Sequence, residues 1–242
     1  MSSQKIHLYL TSEHACGYLP DRMATNLVPD PNIQMNQDIY SQLIKLGYRR
    51  SGNFIYKPHC NECSECRPCR LPVETFAPNR SQKRCLKTNH DLTADTVDAN
   101  YSDEHFLLYQ SYINSRHSDG QMVNPEPEDF SNFLLSEWGH TRFIEIRKNR
   151  SLIAVAVMDT ISSGLSAVYS YFDPDEEKRS LGTYCILQQI QHAKTQGLDY
   201  LYMGYWIKQS QKMKYKSSFQ PLEIFVDNSW LPMDTRRQKI PG

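Results

Sequence analysis

No stretch of this sequence approaches the ~18 consecutive apolar residues of a membrane-spanning helix, which excludes a helical membrane span. Charge of one sign is not in excess either. The 27 Lys and Arg match 27 Asp and Glu, so net charge supplies no general attraction to nucleic acid, and any such case rests on uneven distribution. The first residues, Met1 to Ser12, carry one lysine and broken hydrophobicity, without the h-region and small-residue cleavage site of a secretory signal. A cytoplasmic location is therefore expected. Internal repeats and low-complexity segments are lacking too.

What is present describes an ordinary globular chain: 242 residues, 39% hydrophobic and 22% charged, enough for one compact unit or two intimate lobes. The charge is unevenly placed. Residues 79–87 and 203–221 are basic, as are Arg147, Lys148 and Arg150, whereas 91–104 and 173–177 hold much of the acid. In 203–221, Lys208, Lys212, Lys214 and Lys216 follow one another without a carboxylate, interleaved with Tyr205, Trp206, Tyr215 and Phe219. Cations with aromatic faces between them suit a phosphate backbone and stacked bases; a solvated basic helix with its aromatics in the core is the plainer alternative.

Cys60, Cys63, Cys66 and Cys69 recur every third residue. In a cytosolic chain such a run points to metal or redox chemistry rather than a structural disulfide. Iron–sulfur and zinc ligation both remain open, with Cys16 or His59 as a further ligand; reduced cysteines on a tight turn are the bland reading. Cys85 and Cys185 read as packing residues.

The pattern predicts a strand over 6–9, a loop over 14–22, and a helix capped by Asn36 and stopped by Gly47. A hairpin follows over 48–57, then a strand over 71–76. A helix from Asn79 to about Asn89 has Arg80, Lys83, Arg84 and Lys87 on one face. A strand over 92–97 and two helices, from Asp103 and from about Glu128, lead into an antiparallel meander over 142–147, 152–161 and 165–172. A helix opened by Arg179-Ser-Leu-Gly182 ends at Gly197, and strands follow at 199–203 and 222–226. Meander, Arg-x-x-Gly, helix, strand is the order of GNAT-type acyltransferases, in which that loop binds a pyrophosphate. Tyr184 stands where acyl-CoA enzymes use Gly or Ala.

Five separated segments then occur in one order: Cys16-x-Tyr18-Leu-Pro20; Tyr56-x-Pro-His-Cys60-x-x-Cys63-x-x-Cys66-x-Pro68; Asn79-Arg-Ser-Gln-x-Arg84; Tyr112-Ile-x-x-Arg116-His-x-Asp-Gly120; and Gly204-Tyr-Trp-Ile207 with Lys212-Met-x-Tyr-Lys216. In them the chain resembles, over nearly its whole length, the bacterial aspartate/glutamate leucyltransferases, relatives of the eukaryotic arginyl-tRNA–protein transferases. The resemblance implies transfer of leucine from leucyl-tRNA to proteins that begin with Asp or Glu, marking them for degradation. It implies an α+β fold, with a cysteine-containing N-terminal lobe (1–98) packed on a GNAT-like transferase domain with a mixed, mostly antiparallel sheet (99–234). Thr235 to Gly242 are expected to form a disordered tail.

Under that reading Arg80, Arg84, Arg116 and protonated His117 are the candidates for the acceptor's carboxylate, because a guanidinium fork bonds both oxygens. Lys208, Lys212, Lys214, Tyr215 and Lys216 are assigned to the tRNA end, and Tyr169, Tyr171 and Trp206 to the leucine pocket. Asp173 or Tyr205 would accept the proton. Transfer requires no cofactor, while Cys16, Cys60, Cys63 and Cys66 are candidate ligands for an iron–sulfur cluster or zinc. An acyl-CoA-dependent N-acyltransferase and a cysteine-metal nucleic-acid-binding or redox-sensing module are the alternatives.

Overall fold

In the computed structural model, which describes residues 6–116 and 123–233, the chain opens with short strands β1 (Leu8–Leu10), β2 (His14–Ala15), β3 (Met23–Ala24) and β4 (Asn26–Pro29). Helix α1 (Gln37–Lys45) and the hairpin β5 (Arg49–Ser51) and β6 (Phe54–Pro58) follow. Next come β7 (Arg67–Pro72), α2 (Arg80–Thr88), β8 (Leu92–Asp98), α3 (Asp103–Arg116) and α4 (Pro127–Leu134). The meander β9 (Thr141–Lys148), β10 (Ser151–Ile161) and β11 (Gly164–Phe172) leads to α5 (Leu181–Thr195), β12 (Tyr200–Trp206), β13 (Glu223–Val226) and β14 (Ser229–Pro232).

Local chemistry sets the helix starts. Asn36 Oδ1 accepts the Ile39 N–H, and Asn79 forms a reciprocal capping box with Gln82. For α3 the N-cap bond comes from Ser102, whose Oγ accepts the His105 N–H at 3.2 Å. The loop expected over 14–22 is closed at its ends by β2 pairing with β3. β14 was not foreseen, and the expected tail, Thr235 to Gly242, lies outside the described residues.

Eight strands form one sheet in the order β14-β13-β7-β12-β11-β10-β9-β8. All its neighbours are antiparallel except β11 and β12. β7 begins four residues before the strand expected at 71–76, because Pro68, Cys69 and Leu71 are buried and the chain turns after Val73. It lies between β12 and β13, and β8 edges the same sheet, so the sheet crosses the expected boundary at 98/99. One sheet face packs on α5 and α2; the other packs on α3 and α4 over the meander and on α1 beside β12. Among the described residues no helix is long and apolar enough to cross a membrane.

The parallel pair positions the site. β11 and β12 are in register only from Gly164–Ser166 to Tyr200–Tyr202, and beyond that they separate. On β11, Val168 is an unpaired extra residue facing β10; on β12, Met203 is extra facing β7. Such bulges bend a strand and raise its twist, and here both lie where the strands part.

Candidate active site

The gap between the strands is a cleft of about 570 Å³, within the usual range for ligand sites. Its walls come from Ala167 to Ser170 and Phe172 of β11, Met203 of β12, Gly182, Thr183, Ile186 and Gln189 of α5, and Tyr112 and Arg116 of α3. The segment after β12 closes it with Gln211, Lys212, Met213, Tyr215 and Lys216. Four cations line it, Arg49, Arg116, Lys212 and Lys216, and no carboxylate does among the described residues. In a chain of zero net charge this is a strong local asymmetry.

Arg49 fills the throat. Successive strand residues face opposite sides, so Arg49 and Arg50 of β5 go different ways. Arg49 donates to the Ala167 carbonyl at 2.7 Å and the Val168 carbonyl at 3.0 Å, holding the β11 bulge open. Gly204 makes room for it: its φ is +76°, and a Cβ there would stand 2.4 Å from Arg49 Nη1. Gly204→Ala is therefore expected to cost about 2 kcal/mol, from the left-handed backbone and the displaced guanidinium, read as a lowered urea midpoint with unchanged slope.

Lys216 is the chemically unusual group. A short 3-10 turn, Lys214–Ser218, carries its side chain inward to 6% exposure, and its Nζ donates to the Tyr205 carbonyl at 2.6 Å. No carboxylate pairs with it among the described residues, and burial lowers its pKa to about 8. An ammonium buried beside a cleft without a counter-charge is a ready donor for an oxyanion formed there.

The candidates named from sequence divide. Arg116, Tyr169, Lys212, Tyr215 and Lys216 meet in the cleft, and the Arg116 guanidinium sits 5.5 Å from the Phe172 ring centroid. Lys208 and Lys214 are exposed outside its lining. Tyr171 is fully buried among Tyr109, Phe130 and Phe143, away from the lining, and Trp206 packs at the edge of the α5 core. The Tyr205 hydroxyl is shared between the carbonyls of Gly47 and Tyr56, each at 3.2 Å, and burial raises its pKa well above the tyrosine range. It is not placed to take a proton from the cleft. Asp173 caps the turn Pro174–Arg179 by accepting the Asp175 N–H and does not line the cleft. Arg80 and Arg84 are exposed on α2, also outside the lining. Asn79 and Gln82 nevertheless tie the start of that helix to the Ser218 carbonyl, next to the lysine segment. His117 lies outside the described residues.

Arg179 is engaged elsewhere. It forms two bonds to Asp91, at 2.8 and 2.9 Å, which hold that carboxyl below its usual range, and one to Glu176 at 2.8 Å, whose carboxyl is lowered first by Lys148 and then by Arg179. A guanidinium so occupied is not free for the pyrophosphate of an acyl-CoA.

Cys16, Cys60, Cys63 and Cys66 line one pocket of about 150 Å³ with Tyr18 and Tyr56, behind Tyr205. Burial and the three neighbouring thiols push Cys66 up to about 12. Among the described residues, no three His, Cys, Asp or Glu form a group that could hold a metal ion. The thiols share a pocket without forming a ligand set for zinc or an iron–sulfur cluster among the described residues. Cys69 is buried in β7.

Arg49 and Gln189 were not singled out from sequence, and Gly204 was noted only as part of a segment, without a role. The available signals were a charged pair in a strand, a glutamine on the core-facing side of α5, and a glycine inside a strand.

The model of the arginine-tRNA-protein transferase C terminus matches residues 104–226, and that of the N terminus matches residues 14–84. The chain belongs to the arginine-tRNA-protein transferase family. Curated relatives include the aspartate/glutamate leucyltransferase of Saccharophagus degradans, 50% identical over 94% of this chain and 97% of its own. That of Teredinibacter turnerae is 48% identical over 95% of each chain. Among solved structures, FemX aligns over 78% of this chain and 65% of its own, with a TM-score of 0.46 and 8% identity. The two family models together take in the start of α2, the meander, α5 and the lysine segment, and all the residues that line the cleft lie within them.

Proposed function

We propose that this protein transfers leucine from leucyl-tRNA to the α-amino group of proteins that begin with Asp or Glu, marking them for degradation. The reaction is placed in the cytoplasm, in the GNAT-like cleft between β11 and β12. The observation that carries the reading is a cleft with four cations, an apolar floor and no carboxylate among its described residues. Polyanionic donor and acidic acceptor both favour such a wall.

The acceptor amine attacks the leucyl ester carbonyl; the C–N bond forms, the ester C–O bond breaks, and the ribose oxygen leaves with a proton. The ester is already activated, and alignment alone can supply about 7–11 kcal/mol. A free α-amino group has a pKa of about 7.7–8.0, so a substantial neutral fraction exists near neutrality. The cleft needs to hold two substrates and steady one oxyanion. Lys216 serves the oxyanion, Ile186 and Met203 the leucine side chain, and Lys212 and Tyr215 the tRNA end. Lys208, Lys214 and the α2 cations Arg80, Lys83, Arg84 and Lys87 continue the basic rim along the acceptor stem. No step calls for a resident cofactor.

Arg116 is assigned to the acceptor's side-chain carboxylate. Arg116→Ala is expected to lower kcat/KM for an Asp-starting peptide by roughly 10- to 100-fold, the worth of a charge-assisted hydrogen bond, with the Kd for leucyl-tRNA nearly unchanged. Equal losses in both would move Arg116 to the donor side. The reading as a whole is tested by incubating the protein with leucyl- or arginyl-tRNA and peptides differing only in a first residue of Asp, Glu, Ala or Arg. Transfer confined to leucyl-tRNA with Asp and Glu peptides is expected; acyl-CoA turnover without tRNA overturns it.

A further inference from the structure

The floor of the cleft contains an acceptor with nothing to accept. Gln189 is fully buried, and its Oε1 has no hydrogen-bond partner among the described residues. Its amide orientation is fixed by the other end, where Nε2 lies 3.4 Å from the Val157 carbonyl. Turning the amide over would set two oxygens against each other. Gly182, Thr183, Ile186 and Gln189 fall at i, i+1, i+4 and i+7 of α5, one face of the helix, so Gln189 is the deepest of the four from the helix start. Ile186, Met203 and Val168, which line the same cleft, are apolar. A buried carbonyl without a donor is costly, and a cleft that keeps one in an apolar setting fits a ligand with an apolar branch and one N–H group beside it.

We propose that Gln189 Oε1 receives the α-amino group of the donor's leucyl residue, while the isobutyl branch packs on Ile186 and Met203. The proposal rests on the leucyl-transfer reading. On a leucyl ester the α-amino group is the only N–H donor; the ester oxygens accept. Gln189 is thus a positioning residue, which fixes the rotation of the aminoacyl group so that its carbonyl faces the attacking amine and Lys216. It also selects an α-amino ester over a plain acyl ester.

The test compares leucyl-tRNA with the same tRNA carrying a 4-methylpentanoyl ester, which keeps the carbon skeleton and lacks the amine. Single-turnover transfer to an Asp-starting peptide is measured for the wild type and for Gln189→Leu, relative to uncatalysed aminolysis of each ester. The wild type is expected to favour leucyl-tRNA by roughly 10- to 100-fold beyond the uncatalysed ratio. In Gln189→Leu that preference falls to within about 3-fold of the uncatalysed ratio, through a raised Kd for leucyl-tRNA, while 4-methylpentanoyl-tRNA reacts as before. The variant's melting midpoint is expected to stay close to the wild type's, since removal of the unpaired oxygen offsets loss of the long 3.4 Å bond from Nε2 to the Val157 carbonyl. Gln189→Met provides the same comparison should the leucine variant fold poorly. Retention of the wild-type preference in a folded variant overturns the assignment and leaves the oxygen facing a trapped water. A wild type that transfers no leucine would instead overturn the underlying reading.

Discussion

Lys216→Met is expected to lower the rate of leucyl transfer by roughly 10²- to 10³-fold, the usual loss on removing one donor to an oxyanion, with leucyl-tRNA binding largely kept. The side chain is buried, its amine is anchored on the Tyr205 carbonyl at 2.6 Å, and a flexible surface lysine could not be held so. Two pH signatures separate this role from a merely structural one. The acceptor amine must lose its proton near pH 8, as model amines do, and Lys216, lowered to about 8, must keep its own. Transfer should therefore rise and then fall around pH 8, and Lys216→Arg, charged throughout, should lose the alkaline fall. The groups facing this amine are Cys69, whose thiol burial raises, Cys66, and Arg49, whose charge helps to lower it.

The second signature is in stability. The folded pKa of Lys216 lies below the unfolded lysine value of about 10.4, so between the two the unfolded chain holds more protons, and stability rises with pH through that window. Below pH 8 the full cost of burying the ammonium is present. The methionine variant should thus compare best with the wild type near pH 7 and lose about 3 kcal/mol of that relative advantage by pH 10.5. Denaturation of both proteins at the two pH values measures it, with the other titrations cancelling in the difference.

The placement of that lysine also marks where the sequence ceased to be informative. Lys208, Lys212, Lys214 and Lys216 look alike in the chain, and only the turn that folds 214–218 back toward β12 makes Lys216 a buried cleft donor, while Lys212 lines the cleft from an exposed position and Lys208 and Lys214 stay in solvent. Local signals did well where local chemistry decides: Asn36 and Asn79 start their helices, and alternation with tight turns produced the meander. They misplaced β7, expected over 71–76 and found at Arg67–Pro72, because the cysteine spacing masked the start of a strand whose two neighbours arrive more than a hundred residues later. Tyr205 illustrates the same limit. Its basic surroundings in sequence suggested an active-site hydroxyl, whereas the bulge at Met203 breaks the strand alternation and turns Tyr205 to the opposite side from Met203, onto the cysteine pocket. Arg116 was legible through the segment Tyr112-Ile-x-x-Arg116 and because a guanidinium fork suits a carboxylate.

Asp159→Ala is expected to destabilise the fold by about 3–5 kcal/mol, the cost of leaving a buried partner charge unpaired. That is a large share of the about 5–15 kcal/mol that holds a native domain together. Asp159 is fully buried and bonds Arg50 twice, at 2.6 and 2.7 Å, the Tyr40 hydroxyl at 2.6 Å and the Thr141 hydroxyl at 2.8 Å. Removing the carboxylate strands a guanidinium at 4% exposure and two hydroxyls at once. At this chain length the loss corresponds to a melting midpoint roughly 10 °C lower. If charge burial is the cause, the double variant Arg50→Met with Asp159→Leu should be less destabilised than Asp159→Ala alone, since no ion is then left without a partner. A double variant worse than the single one would show that the pair contributes packing that apolar groups cannot replace. The network also bears on the cleft, because β5 has one arginine on each face. Arg50 secures the strand to β10, and Arg49, one residue earlier, braces the β11 bulge. Loss of Asp159 should thus cost transfer activity even at temperatures where the protein remains folded, and to a greater degree than it weakens tRNA binding.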